Sequence, residues 1–184
     1  YEMSLDFAES LMLSESFSLG AGVRWRYSDL TYDYTDDTSP GSAFAADISC
    51  YVNKYFNIGN RECQFGFGAN ISNIGSKINF GGSDYSEFIP TNLRLGINFM
   101  LPIDEYNRFA IAADANKLLV PTIPTDDQCR QALGMGEDEP ISWYNDYRVN
   151  NYYNISSIAG IFRSFHDAPG GFKEELKEIN FSVS

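Results

Sequence analysis

Hydrophobic and polar residues alternate along this chain with a period of two. From Phe17 to Ser28 every odd position is apolar or aromatic: Phe17, Leu19, Ala21, Val23, Trp25, Tyr27. The even positions read Ser18, Gly20, Gly22, Arg24, Arg26, Ser28. Successive side chains of an extended chain point to opposite faces, so this stretch predicts a strand with one apolar and one polar face. The pattern recurs at Phe44, Ala46, Ile48, Cys50 and Val52, and again at Cys63, Phe65, Phe67, Ala69 and Ile71. It returns at Leu93, Leu95, Ile97, Phe99 and Leu101, and at Phe109, Ile111, Ala113 and Ala115. A weaker strand over residues 4–13 precedes these, and Ile179, Phe181 and Val183 begin another, which makes seven.

The connections carry a second pattern. Tight turns at residues 14–16, 57–61 and 102–107 alternate strictly with long segments at 30–42, 75–89 and 117–178. An up-and-down barrel in an outer membrane has this grammar, with short periplasmic turns and long outer loops. The bland alternative is a soluble antiparallel sheet on a core, and period two alone does not separate the two. Three features favour the membrane: the alternation of loop length; the placement of Arg24, Arg26, Asp47, Arg94 and Asp114 on the polar face of the strong strands; and the Gly, Asn and Ser content of that face. A cation on a lipid-facing strand position costs about 2–4 kcal/mol at the bilayer midplane, so a bilayer enforces such segregation.

Composition narrows the function classes. Among 184 residues, 13 Lys and Arg stand against 25 Asp and Glu, a formal net charge of -12 that argues against non-specific nucleic-acid binding. Aromatic residues at 15% exclude a disordered acidic tail. No stretch approaches the ~20 apolar residues of a spanning helix, which leaves a barrel open because its strands are only half apolar. Tyr1-Glu2-Met3-Ser4 shows neither the basic nor the apolar region of a signal peptide. Cys50, Cys63 and Cys129 have no metal spacing and predict no disulfide framework.

Within the last long segment, Asp126-Asp127-Gln128-Cys129 through Glu139-Pro140 reads as an acidic mobile loop. Ile158, Ile161, Phe162 and Phe165 stand at helical spacing, and Phe172–Lys177 reads as a further helical turn or two. These helices are expected across or in the barrel mouth. Catalytic chemistry is not apparent. His166 beside Asp167 reads as a solvated loop pair, no serine has a nucleophile elbow, and Gly20, Gly22, Gly66 and Gly68 sit mid-strand, where they make room for side chains opposite. Asp36-Asp37 and Asp126-Asp127 lack EF-hand spacing and read as solvated charge. No cofactor, metal site or catalytic residue is expected.

Four separated motifs then turn the reading specific. They are Asn70-Ile71-Ser72-Asn73-Ile74-Gly75-Ser76-Lys77-Ile78; Phe88-Ile89-Pro90-Thr91-Asn92-Leu93-Arg94-Leu95-Gly96; Ala112 to Thr122; and Asp167-Ala168-Pro169-Gly170-Gly171-Phe172-Lys173-Glu174-Glu175-Leu176. In this order, with Ala43-Phe44-Ala45-Ala46-Asp47 beside them, they resemble the PorV family of outer-membrane β-barrels of the type IX secretion system of Bacteroidota. The resemblance implies an all-β, antiparallel up-and-down transmembrane barrel similar to FadL, of about fourteen strands. Residues 1–184 form a partial barrel domain, with short helices in a long extracellular loop over about 118–178. Seven strands, an odd number, do not close a typical bacterial barrel. The chain is therefore expected to be an internal piece of a longer one.

The family acts without catalysis. The resemblance implies that the protein accepts secreted cargo from an SprA-type translocon by its C-terminal signal domain and delivers it to a PorU-like surface attachment complex. Alternatives are a FadL-like transporter of hydrophobic small molecules, which needs an apolar lumen pocket, and an envelope hydrolase, which needs a nucleophile–base pair not found here. Two sets of residues are singled out. Arg24, Arg26, Asp47, Asn92, Arg94 and Asp114 are expected to face the lumen as a hydrogen-bonded network. Trp143, Tyr144, Tyr147, Tyr152 and Tyr153 are expected to be exposed and to hold cargo, being residue types enriched at interface hot spots.

Overall fold

The computed structural model describes residues 1–29, 39–80, 85–136 and 141–184. The acidic pair Asp36-Asp37 and the Glu139-Pro140 end of the expected mobile loop lie outside these. Seven strands pair in sequence order into one antiparallel sheet: β1 (Glu2–Ser14), β2 (Phe17–Ser28), β3 (Gly41–Ile58), β4 (Arg61–Gly75), β5 (Asn92–Pro102), β6 (Arg108–Leu118) and β7 (Ile179–Val183). Over the described residues the sheet is open, with β1 and β7 at its edges. Four short helices, α1 (Asp126–Leu133), α2 (Ile141–Arg148), α3 (Ser157–Arg163) and α4 (Phe172–Lys177), lie in the connection between β6 and β7. Among the described residues no helix is long and apolar enough to cross a membrane.

The register carries the two-faced pattern across the whole sheet. Leu11, Leu19, Cys50, Ala69, Leu95, Ala115 and Phe181 pair in turn from β1 to β7 and form an apolar row. The adjacent row, on the opposite face, reads Ser10, Gly20, Ser49, Asn70, Arg94, Asn116 and Asn180. Because the side-chain period is two, one residue of slip in any strand would exchange these faces. Two of the four mid-strand glycines make room as expected: a Cβ at Gly20 would come within 2.5 Å of the Ser49 hydroxyl, and one at Gly66 within 2.5 Å of the Asn98 side chain, whereas at Gly22 and Gly68 it would meet nothing closer than 3.4 Å.

β3 and β4 run further than the alternation predicts, meeting at a tight turn where Gly59 takes φ 62°. The alternation is hidden there because Lys54 sits on the otherwise apolar face, opposite Phe65. All tight turns lie at one end of the sheet and all long connections at the other. At the tight end Asp104 accepts from the Asn107 side-chain amide and from the backbone N–H of Tyr106 and Asn107, which hold its carboxyl below the usual range.

Burial is concentrated at the long-connection end, where Leu119, Tyr144, Tyr152 and Ala168 are buried, while Val23, Ile48, Phe65, Leu95 and Ile97 stand exposed on the apolar face. A soluble sheet would hide that face on a core, since contiguous apolar patches above a few hundred Å² are rare in water. The sequence reading assigns this face to lipid. Single cysteines at positions 65 and 95, placed in full-length protein lacking its native cysteines, should react with a lipid-phase reagent and resist a membrane-impermeant one. Strong aqueous labelling at either position contradicts the assignment of this face to lipid.

Candidate functional site

On the polar face one cluster is tied together by β4. The pairing of β3 with β4 shifts by one residue between Ala46 and Ile48, so the β4 strand carries an extra residue opposite Asp47. Asn73, in that extra stretch, takes the left-handed conformation at φ 58°, which asparagine tolerates better than most side chains. Its backbone N–H donates to Asp47 Oδ1 at 2.7 Å, its Oδ1 accepts from Arg24 Nη1 at 2.7 Å, and its amide donates to the Pro90 carbonyl at 3.1 Å. The Asn73 carbonyl accepts the Thr91 hydroxyl at 2.7 Å. Arg24 also pairs with Asp6 and reaches Asp47 at 3.3 Å. One guanidinium thus joins β1, β2, β3 and β4.

Of the six polar residues singled out by sequence, the structure brings Arg24 and Asp47 together. Asn92 donates to Asn116 Oδ1 at 2.7 Å, one step along the face. Among the described residues no ion pair joins Arg26, Arg94 or Asp114 to the Arg24 cluster. Arg94 stands instead between Asn70 and Asn116. Asp6 and Asn73 are members that the sequence reading missed. The opposition of Asp6 to Arg24 becomes visible only once the register of β1 on β2 is known.

The connection between β6 and β7 is more ordered than expected. Residues 126–133 form α1 rather than a mobile loop. Thr125 accepts from the Gln128 backbone, Gln128 bonds back to Thr125, and Gly134 closes the helix at φ 66°. A Thr-x-x-Gln capping box and a left-handed glycine are the signals that an acidic-loop reading overlooked. α1 and α2 are held together by Arg130 Nε donating to the Tyr144 hydroxyl at 3.3 Å, and by Arg148, which binds the Pro124 carbonyl at 2.9 Å and pairs with Asp126. A π-helical turn over Val149–Tyr153 follows α2.

This places the five aromatics differently from expectation. Tyr144 and Tyr152 are buried, at 2% and 5% exposure, because they fill the joints between helices and loops. Tyr152 meets Phe88 edge-on with ring centres 5.3 Å apart, and Tyr153 stacks on Tyr85 at 4.5 Å. Lys77 lies 4.0 Å above the Phe88 ring and donates to the Tyr153 carbonyl at 2.7 Å. Burial pushes the Tyr152 hydroxyl up to about 12 and lowers Lys77. These contacts bind the β4–β5 connection to the β6–β7 connection. Gly160 closes the joint: a Cβ there would come within 2.5 Å of the Phe88 ring. Trp143 is the one of the five that is exposed, and Tyr147 and Tyr153 are half-buried.

A second latch fixes the far end of the segment. Lys117, buried near the end of β6, donates to Glu175 of α4 at 2.9 Å and to Glu178 at 2.7 Å. Burial opposes ionisation of Glu175, but the Ala168 N–H and Lys117 outweigh it and hold the carboxyl below its usual range. Nearby, Asp167 Oδ2 accepts the Thr122 N–H at 2.8 Å, while its buried Oδ1 has no partner, and burial raises this carboxyl. His166 is exposed.

Two tests follow from these latches. Arg24→Ala should lower thermal stability by about 1.5–3 kcal/mol, the range for hydrogen bonds to charged groups, and by clearly more than Arg26→Ala, as read from heat-induced mobility shifts of the full-length protein. At α4, a depressed carboxyl contributes stability above its unfolded value near 4.3 and loses it as pH falls through the folded value. Protection of the α4 amides, taken relative to their intrinsic exchange rates, should therefore hold at neutral pH and fall below about pH 4. Lys117→Met, which leaves Glu175 buried without its cation, should expose α4 already at neutral pH, a local cost of about 3–5 kcal/mol.

Comparison with curated proteins gives no match. A family profile described as "Type IX secretion system protein PorV" matches residues 1–126, which take in β1 to β6 and the start of α1. The match covers the Arg24–Asp47–Asn73 cluster and more than half of the chain. This two-faced sheet belongs to the PorV family, an outer-membrane component of the type IX secretion system.

Proposed function

We propose that this protein is a non-catalytic carrier of the type IX system, which receives secreted cargo by its C-terminal signal domain, from an SprA-type translocon, and passes it to a PorU-like attachment complex. The observation that carries the reading is the form of the segment over residues 119–178. It is latched to β6 by Lys117 and to the β4–β5 connection by Lys77 and Phe88, yet it leaves Trp143, Phe162 and Phe165 exposed. An apolar surface held rigidly at the long-connection end offers a preorganised face to a partner. It is also the only described connection long enough to supply about 800 Å² to an interface. The tight turns at the other end offer little.

A second reading, passage of small hydrophobic molecules, draws on a cavity of about 510 Å³ at the same end, walled by Ile78, Phe80, Phe88, Ile89 and Pro90. Its other side carries Glu2, Ser4, Arg26 and Ser28, a polar edge that a purely apolar solute would leave unsatisfied.

Deleting residues 126–150 from the full-length protein, which removes Trp143 but leaves both latches, should reduce capture of a cargo signal domain by about tenfold or more, the loss expected of an interface anchor. Undiminished capture by a correctly inserted barrel rules out the 126–150 stretch as the docking site. Retention of a fluorescent fatty acid, lost on filling the cavity with Ala43→Trp, would support the second reading instead.

A further inference from the structure

The four sequence motifs lie far apart in the chain but meet at the long-connection end. Asn73 of the first bonds Pro90 and Thr91 of the second. Thr91 bonds Leu119 of the third, and Thr122 of the third bonds Asp167 of the fourth. Thr91 stands in the middle of this series of contacts and is buried, at 4% exposure. The strands around it, β4, β5 and β6, are each paired on both sides, so it lies away from both edges of the sheet.

The N–H, hydroxyl and carbonyl of Thr91 are all used, each in a different direction. The regular ladder between β4 and β5 stops at Ser72 and Asn92. One step further, Asn73 has left the ladder with its left-handed φ. There the Thr91 N–H turns back to the Ile89 carbonyl at 2.7 Å and closes a three-residue turn around Pro90, whose ring fixes φ. The Thr91 hydroxyl takes the place of that N–H and donates to the Asn73 carbonyl at 2.7 Å. On the other side the Thr91 carbonyl accepts from the Leu119 N–H at 2.7 Å, where the outer segment leaves β6.

Two attachments of the outer segment therefore hang on residues 88–91. Its root is held through Thr91 and Leu119, and its middle through Phe88, which meets Tyr152 and Gly160. Residues 88–91 are in turn held to the sheet by Asn73, which Asp47 and Arg24 fix. A side chain without a hydroxyl at position 91 would leave the part-buried Asn73 carbonyl without this donor and free the turn from the sheet.

We propose that Thr91 is the positioning residue of the outer segment, setting where α2 and α3 stand relative to the sheet through its hydroxyl on Asn73 and its carbonyl on Leu119. The proposal goes beyond the cargo reading and rests on it only where cargo capture is measured.

The test uses full-length protein in detergent, with Thr91→Val, which keeps the shape and loses the hydroxyl, and Thr91→Ser, which restores it. Spin labels on Asp146→Cys in α2 and Tyr106→Cys in a tight turn, both exposed positions, report where the segment stands in protein lacking its native cysteines. Thr91→Val should widen the distance distribution about twofold and lower amide protection of α2 and α3 about tenfold, leaving β5 and β6 unchanged. Thr91→Ser should return both to the wild-type values. An unchanged distribution in Thr91→Val, a Thr91→Ser protein as loose as Thr91→Val, or a loss of protection shared equally by β5 and β6 would overturn the proposal. Capture of a cargo signal domain should fall with Thr91→Val and return with Thr91→Ser. Capture that ignores a loosened segment counts against the cargo reading and leaves the role of Thr91 standing.

Discussion

Inside a hydrocarbon layer a backbone N–H or C=O has no water to bond, and the rest of this structure depends on that constraint. It requires strands that pair along their length, and β1 to β6 do so in unbroken sequence order. Pairing fixes register, and register sorts the side chains. The rows through Leu95 and Arg94 lie one residue apart, yet one is apolar and the other polar across all seven strands. The pleat separates an apolar face from a polar one, interrupted at Glu9, Lys54 and Lys117.

Such a sheet is locally uniform, so its individuality comes from the places where the ladder is broken. The extra residue of β4 is one. Asn73 cannot join a regular ladder, and each of its polar groups turns to a side chain or loop: Asp47, Arg24, Pro90 and Thr91. The irregularity thereby becomes the point at which four strands and a loop are clamped by one guanidinium. Glu9 is another break, of face rather than ladder.

The long-connection end follows different physics. There water is available, backbone groups need not all be paired in strands, and the usual soluble devices return: a capping box at Thr125, an aromatic joint at Phe88 and Tyr152, and a buried ion pair between Lys117 and Glu175. A buried pair adds little net stability over apolar residues, but it penalises any arrangement that separates the partners. It therefore defines where α4 sits more than how stable it is. The pair joins residues 58 apart in the chain, and so closes the segment onto the strand from which it departs.

The sequence by itself determined the strands, their faces, the order of short and long connections and the family, because period-two alternation is a direct consequence of backbone geometry and each strand reports it locally. The face assignments of Val23, Ile48, Leu95 and Ile97 needed nothing beyond counting. What only the tertiary structure decided was everything that joins residues distant in the chain. Arg24 and Arg94 look alike in sequence, each a cation on a polar face, but among the described residues only Arg24 pairs with carboxylates, Asp6 standing directly opposite it where Arg94 has Asn70 and Asn116. Trp143 and Tyr144 are adjacent and both aromatic, yet the helix they share turns one outward and buries the other against Arg130. Lys117 falls on an apolar face and gives no local hint that two glutamates from α4 will cover it. Alternation along one strand is a property of neighbours, whereas pairing and burial depend on which distant segment arrives, and that is set by the fold.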